Sequence, residues 1–242
     1  MSVQLSLQLA TVGYVGFDLE TTGISSFTDA PVSYGFVEHH ADATGVLRVS
    51  EGGYVNPGVP IPEGASAIHG ITDDMVADAP LLEATIEHIA ERIAWIWNQG
   101  GVLVGMNVGY DLTMVDVLCR RLGLAALEER GPIGPVMDVL VLDRHFDMWR
   151  KGPRKLTDLC DHYGVTLGNA HSASADAEAS LQVFEALVEK FPHISRIPYA
   201  KINITLRTWY QEWLSSFSRY LEGKGEAPIA VGRYDWPIHT GE

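Results

Sequence analysis

Residues 17–23 read FDLETTG, and only Leu19 separates the two acids Asp18 and Glu20. In an extended chain, residues two apart share a face, so both carboxylates project together while Phe17 and Leu19 point the other way. Carboxylates so placed repel, and burial deepens the repulsion. The pair is tolerable if water reaches the strand end, if one acid keeps its proton, or if a cation sits between them. Alone, the pattern is most simply a solvated strand end before a Thr-Thr-Gly turn.

Two further acids change the weighing. Asp111 stands in GMNVGYDLTM, where a short apolar strand gives way to a helix, and Asp176 stands in HSASADAEAS, five residues after His171. Each alone suits the positive end of a helix dipole. Together with Asp18 and Glu20 they place four carboxylates at the edges of apolar elements, where α/β folds gather their sites. Small residues stand beside them: Gly23, Gly105, Gly109 and Ala173. Four converging carboxylates without a cation would be severely destabilising, whereas oxygen ligands of this kind are what Mg²⁺ or Mn²⁺ require. His171 adds a group able to hold or move a proton near neutral pH.

Periodicity supplies the elements that position these groups. Tyr14–Leu19 reads as a central strand, and 32–38 and 47–55 as further strands. The segment 57–72, PGVPIPEGASAIHGIT, reads as a Pro- and Gly-rich loop, after which Asp78 can cap a helix over about 80–98. Residues 102–105 form a short buried strand and about 110–122 a helix. Residues 136–142 are a strand or a strand-to-helix junction, and 155–163 and 173–191 are helices. Strands first, then strands alternating with helices, indicate a mixed α/β sheet covered by helices. The natural domain is 11–192, followed by a helical extension and tail over 193–242.

The chain has 242 residues and a net charge of −14, which argues against nonspecific binding to nucleic acid. The charge is uneven. Residues 144–155, RHFDMWRKGPRK, hold five of the 17 Lys and Arg side chains, a local patch compatible with a polyanion. No apolar run approaches the ~20 residues of a membrane span, and the N-terminus has no basic leader, so a cytoplasmic protein is expected. Cys119 and Cys160 lie in helical stretches and read as buried thiols of a reducing compartment.

FDLETTG, NVGYDLTM and HSASAD resemble the three sequence blocks of the DEDDh family of 3′–5′ exonucleases. NPGVPIP followed by AIHGIT is similar to the segment between the first two blocks in its proofreading-type branch, and the step from His171 to Asp176 matches the histidine branch. The resemblance covers about 13–191. Met106, Tyr110 and Ser172 depart from the commoner residues at their positions without removing a catalytic group. RKGPRKLTDLCDHYGV and an aromatic C-terminal helix are similar to stand-alone exonucleases of actinobacteria and their phages.

The resemblance implies a ribonuclease H-like fold and two divalent ions, Mg²⁺ or Mn²⁺. Asp18 would bridge both. Glu20 and Asp176 would complete one site, and Asp111 would hold the second ion largely through water. His171 would be the general base. Thr21 and Thr22 would lie near the terminal sugar, and Ile68 and His69 would flank the terminal base. Asn107 would hold its loop or touch substrate, and Lys151, Arg154 and Lys155 would meet the phosphate backbone. The products would be nucleoside 5′-monophosphates released from a 3′ end.

DNA is favoured over RNA because of the proofreading-type segment. An exoribonuclease, a polymerase-associated proofreading subunit and a catalytically idle binding module are the rivals. Leu206, Tyr210, Trp213, Phe217 and Tyr220 recur at helical spacing. That face is expected to pack back onto the domain, with a polymerase contact or self-association as the alternative. The short extension favours an independent enzyme.

Overall fold

A computed structural model describes residues 13–42, 45–166, 168, 172–228 and 235–239. Five strands, β1 (Tyr14–Thr21), β2 (Pro31–Asp42), β3 (Gly45–Tyr54), β4 (Val102–Gly105) and β5 (Val136–Asp138), form one sheet in the order β3-β2-β1-β4-β5. The β1–β2 and β2–β3 pairs are antiparallel, and β1–β4 and β4–β5 are parallel. This is the mixed, helix-flanked sheet of the expected fold class, with the acidic strand at its centre.

The helices are α1 (Glu63–His69), α2 (Asp73–Val76), α3 (Leu82–Asn98), α4 (Val108–Leu122), α5 (Val139–Phe146), α6 (Leu156–Tyr163), α7 (Ala173–Lys190) and α8 (Ile202–Gly223). Two expectations are corrected, and a third is resolved between its alternatives. The segment 57–72 is not all loop, because Ala65, Ser66 and their neighbours close the turns of α1 on Pro62. Asp78 does not cap the next helix; Leu81 occupies the cap position with no side-chain bond. The stretch 136–142 is a junction, because the Asp138 carboxylate accepts hydrogen bonds from Leu140 N and Val141 N and so starts α5 after three residues of strand.

Strand β1 sorts its side chains by face. Val15, Phe17 and Leu19 enter the core, with Phe17 stacked on Phe36 at 4.6 Å. Gly16, Asp18 and Glu20 face the other way, toward α7. Helix α8 presents Ile202, Leu206, Tyr210 and Leu214 to the same core, the i, i+4 stripe of a helix buried along one side. Its Asn203 completes the sheet edge, accepting from Val136 N at 3.0 Å and donating to Gly134 O at 2.8 Å. The helix therefore packs back onto the domain, but of the expected face only Leu206 and Tyr210 are buried; Trp213 is partly buried and Tyr220 is exposed, because the buried stripe runs through Leu214 instead. Cys119 and Cys160 are buried free thiols, as the sequence suggests. Among the described residues no helix is long and apolar enough to cross a membrane.

Candidate active site

Gly16 and Gly35 let α7 approach the sheet closely. A Cβ on Gly16 would lie 2.4 Å from the Ala177 carbonyl oxygen, and one on Gly35 would lie 2.5 Å from Ser174 N. Ser172 caps α7, its side chain accepting from Ala175 N. Asp176 is thereby set in the first turn of α7, over the face of β1 that carries Asp18 and Glu20. One carboxylate oxygen from each of the three lies within 4.8 Å of the others.

The electrostatics of the cluster follow from this crowding. Burial, then Asp111, Asp176 and Glu20, hold the Asp18 carboxyl well above the usual carboxylate range. Burial, then Asp176, push Glu20 up to about 7. Asp111 comes to the site from a different helix, in the first turn of α4, and is only 4 % exposed. Burial raises its pKa well above the ordinary value, Asp138 and Glu20 add to the rise, and hydrogen bonds from its own backbone and from Leu19 offset part of it. Asp111 stands outside the tight trio but near enough to perturb Asp18. Three acids forced to share a small volume, with Asp18 and Glu20 penalised for carrying charge, are the donor set a hard cation would relieve.

The residue that aims Asp111 escaped the sequence reading. Asp138 is buried, and besides starting α5 it accepts from Asn107 N at 3.1 Å. Asn107 adopts the left-handed conformation, φ 57°, from which α4 begins. Burial pushes the Asp138 carboxyl up to about 6, against the backbone bonds from Asn107, Val141 and Leu140 that lower it. An acid inside the apolar run VMDVL was the available signal.

The other sequence-predicted residues divide between the site and its scaffold. The Thr21 hydroxyl and the Tyr110 hydroxyl both donate to Gly23 O at 2.7 Å, pinning the turn after the acidic strand. Burial pushes Tyr110 up to about 12, which keeps this hydroxyl protonated. Thr22 is buried, donating to Asp29 and accepting from Ala30 N, so its hydroxyl braces the 22–30 loop. Ile68 is 63 % exposed, while its neighbour His69 is buried at the end of α1, with Nδ1 accepting from Ile71 N at 3.0 Å. His69 is thus no surface-loop residue. With Tyr34, Met75 and Ser172 it lines a cavity of about 390 Å³ beside the start of α7. The Asn107 side chain is exposed.

In the basic run, Lys151 and Lys155 are exposed. Arg154 turns inward, pairing with Asp143 and donating to the carbonyl oxygens of Asp147 and Arg150. His171 lies outside the described residues, so the structure describes Asp18, Glu20, Asp111 and Asp176 of the five-residue motif.

A sequence profile of the exonuclease family RNase_T matches residues 15–184. The chain is 31 % identical over 193 residues to the PolC-type DNA polymerase III of Caldanaerobacter subterraneus subsp. tengcongensis, covering 80 % of this chain and 13 % of that protein. It is 34 % identical over 179 residues to its counterpart from Lacticaseibacillus paracasei, covering 74 % and 11 %. The chain therefore spans about an eighth of these relatives' length. Among solved structures it is similar to exonuclease I, with TM-score 0.62, 20 % identity and coverage of 78 % of this chain and 44 % of that one. E. coli exonuclease I in complex with a dT13 oligonucleotide gives TM-score 0.60 at 20 % identity, over 75 % and 42 %. At these identities the structural match speaks for the fold.

Proposed function

The chain belongs to the RNase_T family of exonucleases, and from that membership we propose that it is a metal-dependent 3′–5′ exonuclease acting on single-stranded DNA. The observation that carries the reading is the meeting of Asp18, Glu20 and Asp176 within 4.8 Å, with Asp111 beside them. A divalent ion needs close oxygen donors, and its charge would offset the repulsion and burial that raise the pKa values of Asp18, Glu20 and Asp111. Asp18, Glu20 and Asp176 would hold one divalent ion, Mg²⁺ or Mn²⁺. Asp18 would be shared with a second ion on the Asp111 side. Bound there, such ions lower the pKa of water and offset charge on the phosphate.

The protein's own groups do the rest. Water attacks the phosphorus of the last phosphodiester, and its proton passes to the neutral imidazole of His171, the general base by motif position. The P–O3′ bond breaks, the departing O3′ takes a proton from solvent to become the new 3′-hydroxyl of the strand, and a nucleoside 5′-monophosphate is the product. The turn pinned by Thr21 and Tyr110 meets the terminal sugar, and Ile68 and His69 meet its base. Asn107 and Thr22 hold these surfaces in place. Lys151 and Lys155 attract the phosphate backbone, while Arg154 holds the loop that presents them. The nuclease domain is 11–192, followed by the extension 193–242 whose helix α8 packs on it, and the setting is cytoplasmic.

The test is a 5′-labelled single-stranded oligonucleotide with Mg²⁺ or Mn²⁺, set beside Asp176→Ala and an RNA of the same sequence. The expected result is a ladder shortening from the 3′ end, abolished by EDTA and by the substitution, and faster on DNA. No cleavage under any divalent ion overturns the reading, and faster cleavage of RNA makes the protein an exoribonuclease. A second reading, proofreading beside a polymerase, is favoured by the PolC-type relatives. It predicts preferential removal of a mismatched 3′ nucleotide from a primer.

A further inference from the structure

Helix α8 and the basic run build a cleft apart from the carboxylates. Arg144 and His145 end α5, the chain turns through Met148 and Trp149, and α8 lays Trp209 and Trp213 against them. The His145 ring stacks on Trp209 with centroids 3.8 Å apart, and the Arg144 guanidinium carbon lies 3.4 Å from the Trp213 ring centre. The enclosed space is about 460 Å³.

Trp149 at its rim is 87 % exposed and Met148 is 55 % exposed. With Met148 beside it and the Trp209 and Trp213 rings in the same lining, Trp149 belongs to an apolar patch rather than standing as a lone exposed side chain, and such patches mark interaction surfaces. The lining names the kind of partner. Arg144 and Arg154 line the cleft with one acid, Glu212, in a protein of net charge −14; Arg154 is paired with buried Asp143 behind the wall, and exposed Lys151 follows two residues after Trp149. Flat aromatic rings interleaved with cations suit stacked bases and phosphates better than an apolar helix.

Helix α5 joins the cleft to the scaffold of the acidic cluster. Helix α5 starts at Asp138, which braces the turn before Asp111, and Arg144 lies about 9 Å further along at helical rise. That length of helix is comparable to about three nucleotides of stacked single strand, so a short 3′ segment is of the right scale to run past α5. We propose that this cleft is a second contact for single-stranded nucleic acid, holding nucleotides upstream of the scissile 3′ end, with Trp149 stacking on a base. The inference rests on the exonuclease reading.

The experiment measures the affinity of fluorescein-labelled dT4 and dT20 in EDTA by anisotropy, and turnover of both in Mg²⁺, for the native chain, Trp149→Ala and Ile204→Ala. Ile204 is 59 % exposed on α8 and serves as the surface control. The expected result for Trp149→Ala is about tenfold weaker binding of dT20. The ratio of dT20 to dT4 turnover falls with it, and Ile204→Ala matches the native chain. Unchanged dT20 affinity, or an equal fall for both lengths, overturns the proposal. A sedimentation change in Trp149→Ala also overturns it, marking the face as a protein contact. If the native chain binds dT20 through Trp149 but cleaves neither oligonucleotide, the exonuclease reading fails while the binding surface stands. If it cleaves both and Trp149→Ala changes nothing, the reverse holds.

Discussion

Gly16 on β1 lies so close to Ala177 on α7 that a Cβ added to it would sit 2.4 Å from the Ala177 carbonyl oxygen. Asp18 is two residues beyond Gly16 on the same face, and Asp176 precedes Ala177, so this one approach sets the distance between a strand carboxylate and a helix carboxylate. The carbonyl oxygen belongs to backbone and an added Cβ is fixed by its own, so neither can rotate away. Gly16→Ala is expected to lower stability by about 1–3 kcal/mol. It should also slow cleavage by roughly 100-fold, because small displacements of positioning groups are costly. Gly13, where an added Cβ would meet nothing within 4 Å, is the control. Urea denaturation and single-turnover rates of Gly13→Ala and Gly16→Ala check the pair.

Asp18 feels burial and three neighbouring acids at once. Replacing its carboxylate by an amide removes repulsion from the metal-free protein, so Asp18→Asn is expected to melt higher than the native chain in EDTA, by on the order of 1 kcal/mol. The same change removes a ligand from the trio. Stabilisation by Mg²⁺ should therefore largely disappear, and cleavage should fall by at least ~1000-fold. Thermal melts with and without Mg²⁺ separate the two effects, and a variant that melts lower in EDTA contradicts the account.

The parts of this molecule legible in the sequence are those encoded by short-range pattern. Period-two burial around Phe17 and Leu19 fixes the face on which Asp18 and Glu20 emerge, and i, i+4 spacing of Leu206, Tyr210 and Leu214 fixes the buried side of α8. The parts missed depend on partners far along the chain. Asp138 and Asp143 each sit in an apolar run, where an acid reads as an element boundary. Only the fold brings Asn107 N to the first, and Arg150, Arg154 and Tyr163 to the second. Likewise, Pro and Gly density over 57–72 outweighs the short helix that buries His69, because a two-turn helix is held by its surroundings more than by propensity.

Glu20 gives a pH dependence with a definite sign. Its folded pKa, raised to about 7 by burial and Asp176, exceeds the ordinary value of 4.5. The folded protein therefore favours the protonated acid, and this contribution to stability is fully present below about pH 4.5 and lost as pH rises through about 7. Divalent ions bind the deprotonated form and oppose the loss. The gap between melting temperatures in Mg²⁺ and in EDTA is expected to widen from pH 5 to about pH 8, and to stay flatter in Glu20→Gln. A gap independent of pH in the native chain would count against the cluster as the ion site.

Asp143 has no exposed surface, yet its carboxylate accepts from Arg150 at 3.2 Å, from Arg154, and from the Tyr163 hydroxyl at 2.7 Å. Those bonds tie the 147–155 loop to α5 and α6, holding Trp149 and Lys151 out toward solvent. Removing a buried acid from such a set leaves two guanidinium groups without their counter-ion, so Asp143→Ala is expected to cost about 3–5 kcal/mol. Tyr163→Phe removes one hydrogen bond to a charged acceptor and should cost about 1.5–3 kcal/mol, a milder measure if Asp143→Ala fails to fold. Lys151→Ala, at an exposed position, should stay within about 0.5 kcal/mol of the native chain while weakening dT20 binding and its salt dependence. Urea midpoints paired with anisotropy titrations at two salt concentrations distinguish the residues that hold this loop from the one that uses it. Equal stability losses in Tyr163→Phe and Lys151→Ala would refute that division.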